Sequence, residues 1–306
     1  MYLGIEIGGT KLQLGLGAGA GQLQGLWRET VDPASGPDGI RRQITRAVPE
    51  LLARAGLERS LIDGIGIGFG GPVDDETQHV IKSHQIDGWD DFPLAQWIAD
   101  IVGRPAVLGN DADVAGLAEA LFGAGQGLSP VFYITIGSGI GGGLIVDGAI
   151  YRGQGRGGAE IGHLRMPVKS ADGLTWFPLE ELASGWAIGR QAAAAGLTIS
   201  SSCTAETVAS LAQQGDPRAL ALLHDVCSHL AEAICHVIVF LCPRRIVIGG
   251  GVSLMGESIF FQPLRALVAD RVFRPFAGMV EIVPAHLGEE VVVHGALALA
   301  RQRFHG

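Results

Sequence analysis

Over its first thirty residues the chain alternates short apolar runs with glycine and polar positions. Residues 2–7, 11–16 and 22–30 read as three short strands joined by glycine-rich turns, an antiparallel meander. The period then changes. Across residues 39–55, Ile40, Ile44, Val48, Leu51 and Leu52 recur at helical spacing, and Gly56 supplies a stop. A buried strand follows at 62–69, ending at Gly70, Gly71 and Pro72, and residues 94–102, 106–108 and 114–122 continue as helix, strand and helix. This alternation is the signature of an α/β domain.

From Val131 the opening pattern recurs, with a strand at 133–136, a glycine turn at 137–143 and hairpin strands at 144–147 and 149–152. Glu6-Ile7-Gly8-Gly9-Thr10-Lys11 and Thr135-Ile136-Gly137-Ser138-Gly139 are two versions of one unit. They predict a duplicated architecture, each half aiming a phosphate-binding turn at a shared cleft. Helices are expected near 179–195, at 205–213 and at 217–241, then a strand at 245–248 that ends in Gly249, Gly250 and Gly251. A strand at 281–284 and a helix at 291–303 close the chain. At 306 residues the chain exceeds the usual limit of a single core, so two domains are expected: 1–117 with 290–306, and 118–289.

Composition narrows the function classes. The 47 glycines are spread among turns rather than gathered in one tract, which fits many tight connections between strands. A net charge of -9 with a pI near 5.4 provides no basic stripe, so a nucleic-acid partner is not expected. Residues 1–8 lack the basic start and apolar stretch of a targeting segment. The longest apolar run, 233–242, is broken by His236 and is shorter than the ~20 residues that span a bilayer, so it reads as a core helix with no membrane partner. Cys203, Cys227, Cys235 and Cys242 form no Cys-x-x-Cys pair, which suggests a reducing, cytoplasmic setting.

Glycine after a strand lets backbone N–H groups approach phosphate oxygens, and a lysine at the end of such a turn neutralises charge. Gly8-Gly9-Thr10-Lys11 alone would read as an ordinary hairpin turn; three such turns at strand ends favour phosphate binding. Gly137-Ser138-Gly139-Ile140-Gly141-Gly142 satisfies the dinucleotide pattern G-x-G-x-x-G, but it runs into a β-hairpin instead of opening a helix. A nicotinamide-dependent oxidoreductase is therefore disfavoured, and no P-loop motif is present. Asn110-Asp111 stands where a buried strand meets a helix, the place for a base acting on a hydroxyl and equally for a helix cap. Glu160 and His163 put a carboxylate and an imidazole three residues apart, whereas His224, His229 and His236 share no helix face.

Together, Glu6-Ile7-Gly8-Gly9-Thr10-Lys11, Asn110-Asp111-Ala112-Asp113, Ile136 to Gly143, Glu160-Ile161-Gly162-His163 and Gly249-Gly250-Gly251 resemble the ROK family of sugar kinases and sugar-responsive repressors across nearly the whole chain. The resemblance implies an actin-like ATPase (ribonuclease H-like) fold of two α/β domains, in a homodimer. It implies ATP-dependent phosphorylation of a hexose such as glucose, commonly at carbon 6, with Asp111 as the base. Gly71, Asn110, Glu160, His163 and Glu180 would hold the sugar. Gly8, Gly9, Thr10, Lys11, Gly137, Ser138 and Gly139 would face the ATP phosphates, and Gly249, Gly250 and Gly251 the adenosine. Mg²⁺ would be supported at Glu6, directly or through water.

The chain departs from the family pattern in two places. Glu6 stands where the family usually has Asp. The family's C-x-C-G-x-x-G-C-x-E zinc motif should fall on residues 171–180, where only Glu180 remains, so no zinc site is expected and Trp176, Phe177 and Pro178 would fix this loop by apolar packing. Loss of that motif is similar to polyphosphate-dependent glucokinases, which makes polyphosphate the alternative donor. The stretch Ser83-His84-Gln85-Ile86-Asp87-Gly88-Trp89 also lacks the asparagine often found before that tryptophan. A repressor of the family would need a helix-turn-helix ahead of the first turn, whereas the first strand already starts at Tyr2. A catalytically weak or inactive sugar-binding regulatory protein is the alternative to a kinase.

Overall fold

The computed structural model describes residues 1–83, 87–170, 173–197 and 203–305. The chain runs β1 (Tyr2–Ile7), β2 (Lys11–Gly17), β3 (Gly25–Thr30), α1 (Gly36–Ala55), β4 (Gly64–Phe69), β5 (Val73–Asp74), β6 (His79–Val80), α2 (Leu94–Val102), β7 (Ala106–Asn110) and α3 (Asp111–Phe122). It continues through β8 (Val131–Ile136), β9 (Ile140–Val146), β10 (Ala149–Ile150), β11 (Arg165–Ser170), β12 (Gly173–Pro178), α4 (Leu179–Ala183), α5 (Gly185–Ala194), α6 (Ala205–Gln213) and α7 (Pro217–Leu241). Then come β13 (Arg245–Gly249), α8 (Gln262–Arg271), β14 (Glu281–Pro284) and α9 (Val291–Phe304). Two compact units emerge: Met1–Gly127 with Gly143–Gly158 and His286–Gly306, and Leu128–Gly142 with Ala159–Ala285.

The first sheet has the order β3-β2-β1-β4-β7 and the second β10-β9-β8-β13-β14. Numbered within each half, both orders are 3-2-1-4-5, so the duplication suggested by the two glycine turns extends to the sheets. In the first, β1 pairs antiparallel with β2 and parallel with β4, which is parallel to β7. β1 is buried along its whole length and β4 likewise, whereas the edge strand β3 alternates exposed with covered positions. Helix α1 turns Ile40, Ile44, Val48, Leu51 and Leu52 into this core and stops at Gly56, whose φ of 65° is the left-handed cap that the sequence announced.

Helix α9 lies on the first sheet at unusually close range. A Cβ at Gly66 of β4 would fall 1.8 Å from the Ala296 carbonyl oxygen, and one at Gly295 would fall 1.9 Å from the Val114 oxygen in α3. Around these contacts Val293, Leu297 and Ala300 close over Tyr2.

In the second unit β8 runs parallel to β13, which is parallel to β14. The expected turn at 137–143 is shorter, because Ile140 already enters β9. The expected helix near 179–195 is two helices, broken at Ser184, whose hydroxyl caps α5 by accepting from Ala187 N at 3.2 Å. Residues 165–178 form the hairpin β11–β12, which the sequence did not suggest. Leu174 and Trp176 in it are 61% and 48% exposed, so cross-strand hydrogen bonds, not the expected apolar packing of Trp176, hold this loop. Ala171 and Asp172, like His84, Gln85 and Ile86, lie outside the described residues.

By length and composition α7 is apolar enough to cross a membrane, contrary to the shortfall expected from its longest apolar run. Its residues Leu223, Val226, Leu230, Ile234 and Ile238 are buried against protein, which makes it the core helix of the second unit.

Substituting alanine at Gly66 or at Gly295 forces a methyl group onto a backbone carbonyl. Each change is expected to lower stability by about 1–3 kcal/mol, read as a lower midpoint in urea unfolding; an unchanged midpoint would show that α9 has room to move.

Candidate functional site

The register of the first sheet brings three parallel strands to a common end, since Ile7 is level with Phe69 and Phe69 with Asn110. The residues that follow, Gly8, Gly70 and Asp111, therefore emerge side by side at the carboxyl edge, where ligands bind in open α/β sheets. Gly70 N donates to Ile7 O at 2.9 Å, and a Cβ on Gly70 would sit 3.4 Å from Asp111 Oδ2 and 3.7 Å from Gly8 Cα. The Asp111 carboxylate thus lies beside the first glycine turn. That turn is closed by Gly8 N donating to Lys11 O at 3.0 Å.

Of the two roles open to Asp111, the cap belongs to its neighbour. Asn110 Oδ1 accepts from Ala112 N at 2.9 Å and Asp113 N at 3.3 Å, while its Nδ2 donates to Gly71 O at 3.0 Å. Asp111 is the first residue of α3, half-buried, with Oδ1 accepting from Ala112 N at 2.9 Å. Asn110 uses its oxygen on the cap, which leaves one amide hydrogen beyond the one given to Gly71.

Glu6 projects from the end of β1 and is only 6% exposed. Gln13 Nε2 donates to its Oε2 at 2.7 Å, and Lys11 Nζ lies 3.3 Å from its Oε1. Both Lys11 Nζ, at 3.0 Å, and Gln13 Nε2, at 2.9 Å, also donate to the Glu289 carbonyl. Arg28 extends the cluster, with Nε 2.8 Å from Gln13 Oε1 and ion pairs to Glu289 and Glu290. The loop that supplies Glu289 is fixed by Glu119, a fully buried carboxylate that the sequence did not single out. Its Oε1 accepts from His286 N at 2.9 Å and Leu287 N at 2.8 Å, and its Oε2 from Ala124 N at 2.7 Å. No motif or spacing marks Glu119; it sits in an apolar helix whose partners lie 167 and 168 residues away.

Burial pushes the Glu6 carboxyl above the usual carboxylate range, and the Lys11 charge and the Gln13 hydrogen bond offset this only in part. With a lysine on one oxygen and an amide on the other, Glu6 does not fit direct Mg²⁺ coordination, although a contact through water remains compatible with it. Among the described residues no group of three or more His, Cys, Asp or Glu side chains is arranged to hold a metal ion.

In the second unit, β8 and β13 also end level, Thr135 beside Gly249. The turn Gly137–Ser138–Gly139 is closed by Gly137 N donating to Gly139 O at 2.9 Å, and Gly250, at φ 83°, packs against the Ile136 backbone with no room for a side chain. Glu180 reaches this turn, its Oε2 accepting from Ile140 N at 2.8 Å. Leu179 N bonds to Leu164 O at 2.8 Å, which sets the start of α4 against the single 3₁₀ turn Ile161–His163. Glu160 precedes that turn and His163 ends it, and both are exposed. A cavity of about 390 Å³ opens beside the glycine turns, lined by Gly137, Ser138 and Gly251 and by Trp186, Arg190 and Glu206. The last three were not legible as site residues, because nothing in the chain marks which face of α5 or α6 meets the turns.

A carboxyl whose folded pKa lies above its unfolded value gives stability that is fully present below the unfolded pKa and is lost as pH rises through the folded one. For Glu6 that means wild type should lose stability relative to Glu6→Gln from about pH 4.5 upward. Urea unfolding of both proteins across the acid-to-neutral range tests this; curves that stay parallel would show that Lys11 compensates the burial completely.

The chain matches the ROK family model over residues 2–303. It is 32% identical to a glucokinase of Thermotoga maritima, covering 99% of this chain and 98% of that protein. With a glucokinase of Halalkalibacterium halodurans it shares 30% identity over 99% of this chain and 95% of the relative. Among solved structures, the ROK hexokinase from Thermus thermophilus superposes with a TM-score of 0.83 at 29% identity, covering 99% of this chain and 98% of that one. A ROK family glucokinase from Streptomyces griseus, in complex with glucose and AMPPNP, gives a TM-score of 0.82 at 30% identity, with 98% and 99% covered. The mixed α/β architecture is accordingly the actin-like ATPase fold of the ROK sugar kinases. By its sequence along almost its entire length, and by the fold of its two sheets, this chain belongs to the ROK family.

Proposed function

We propose that the protein is an ATP-dependent hexose kinase that phosphorylates glucose or a related sugar, at carbon 6, with Asp111 as general base. The observation that carries this reading is the Asp111 carboxylate beside Gly8 and Gly70, at the common end of three parallel strands. In the reaction the sugar hydroxyl gives its proton to Asp111 as its oxygen attacks the γ-phosphorus, and the bond from that phosphorus to the ADP oxygen breaks. Little covalent work falls to the protein; positioning and charge stabilisation carry phosphoryl transfer. The Asn110 cap holds the first turn of α3, and with it the backbone of Asp111, in place.

Gly71, Asn110, Glu160, His163 and Glu180 are the residues we assign to the sugar. Gly8, Gly9, Thr10, Lys11, Gly137, Ser138 and Gly139 are assigned to the donor phosphates, and Gly249, Gly250 and Gly251 to its adenosine. Mg²⁺ carried on the nucleotide would neutralise phosphate charge, with Glu6 holding it through water. A lysine Nζ has three hydrogens, and the two contacts to Glu6 and Glu289 leave one for a phosphate oxygen. Four unpaired cysteines support a cytoplasmic enzyme, and we assign it as a homodimer. The engagement of Glu6 by Lys11 and Gln13 favours, as the second reading, a catalytically weak sugar-binding regulatory protein.

ADP release with Mg²⁺ and ATP, measured across aldohexoses, fructose and N-acetylhexosamines, tests the reading. Turnover is expected with at least one hexose, and Asp111→Asn should lower kcat by about 10²–10⁴-fold. Absence of turnover with every sugar, also when polyphosphate replaces ATP, would favour the second reading.

A further inference from the structure

We propose that Trp186 is the platform on which the base of the phosphoryl donor stacks, so that the cavity beside the second glycine turn selects a nucleotide over a bare phosphate chain. The inference rests on the kinase reading and specifies its donor. At about 390 Å³ the cavity falls within the ~300–1,000 Å³ of typical small-molecule sites. Its lining joins Gly137 and Ser138, assigned to the phosphates, and Gly251, assigned to the adenosine, with residues of α5 and α6.

Trp186 lines the cavity from α5 and is 65% exposed, although an indole of this size is normally well covered. It is the second residue of α5, and the preceding Gly185 donates its N–H to Gly137 O at 2.7 Å. The backbone that carries the indole is thereby held against the second glycine turn. One helical turn on, Arg190 lines the same cavity and is tethered by donating to the Glu181 carbonyl at 3.1 Å. An indole and a guanidinium at i and i+4 on one helix face offer two planar surfaces to an aromatic base.

Glu206, in the first turn of α6, argues against the alternative occupant. A polyphosphate running the length of the cavity would bring anionic oxygens to this carboxylate. A nucleoside brings neutral hydroxyls and a π face, which Glu206 and Trp186 accept.

Fluorescence titration with ADP and with pyrophosphate, which keeps the two phosphates but lacks the base, separates these cases. ADP is expected to change tryptophan emission in wild type and in Trp176→Ala, and pyrophosphate to leave it unchanged. Base stacking contributes about 1–3 kcal/mol per base by alanine substitution, so Trp186→Ala should raise the ADP Kd and the ATP KM about tenfold, while the sugar KM stays where it was. Trp186→Phe, which keeps an aromatic face, should recover most of the loss. An unchanged ADP Kd in Trp186→Ala, equal emission changes with pyrophosphate, or a Phe variant as weak as the Ala variant would each overturn the proposal. ADP binding through Trp186 in a protein that turns over no sugar would uphold the inference and defeat the kinase reading.

Discussion

The first unit depends on how closely α9 approaches the sheet and α3. At Gly66 and Gly295 backbone meets backbone with no side chain between them. Dispersion and apolar burial at such range fix the strands and helices as one body, because a gap of even an ångström forfeits much of the attraction. The arrangement reaches the site directly. β4 ends at Gly70, α3 begins at Asp111, and α9 packs on both elements, so the carboxylate and the glycine turn inherit their spacing from the contact.

Buried charge is the second constraint, and it is met by many fixed partners rather than one. Glu119 accepts from three backbone N–H donors, so neither oxygen of this buried carboxyl is left without a partner. Through them it orders the loop whose Glu289 carbonyl holds Lys11 and Gln13. Glu6 shares those same two side chains. The extra methylene that Glu has over Asp lengthens the reach of this carboxylate, and here that reach ends on Lys11 and Gln13. In the second unit the half-buried Glu180 accepts the N–H of Ile140 and so anchors the turn that precedes it.

Much of this was legible in the chain. The three opening strands, α1 with its glycine stop, the buried strands, the three glycine turns and the recurrence at Val131 all follow from short-range periodicity, and each has its counterpart in the structure. The β11–β12 hairpin was not legible, because Pro167 and the exposed run Gly173–Pro178 give no alternation to read. Glu119 was hidden among apolar neighbours in α3, and Trp186 read as one more aromatic in a helix.

The order of the elements and the residue types at their ends were already written in the chain: glycine in the turns after the strands, a carboxylate where a strand gives way to a helix, and lysine after a turn. These are properties of neighbours along the chain. The tertiary structure decided which of Asn110 and Asp111 caps α3, where Lys11 rests, and which face of α5 meets the second glycine turn. Each of those depends on groups tens to hundreds of residues apart that meet only after packing. The physical reason is that a hydrogen bond or a backbone contact is decided within a few ångströms, a distance that packing sets and spacing along the chain does not.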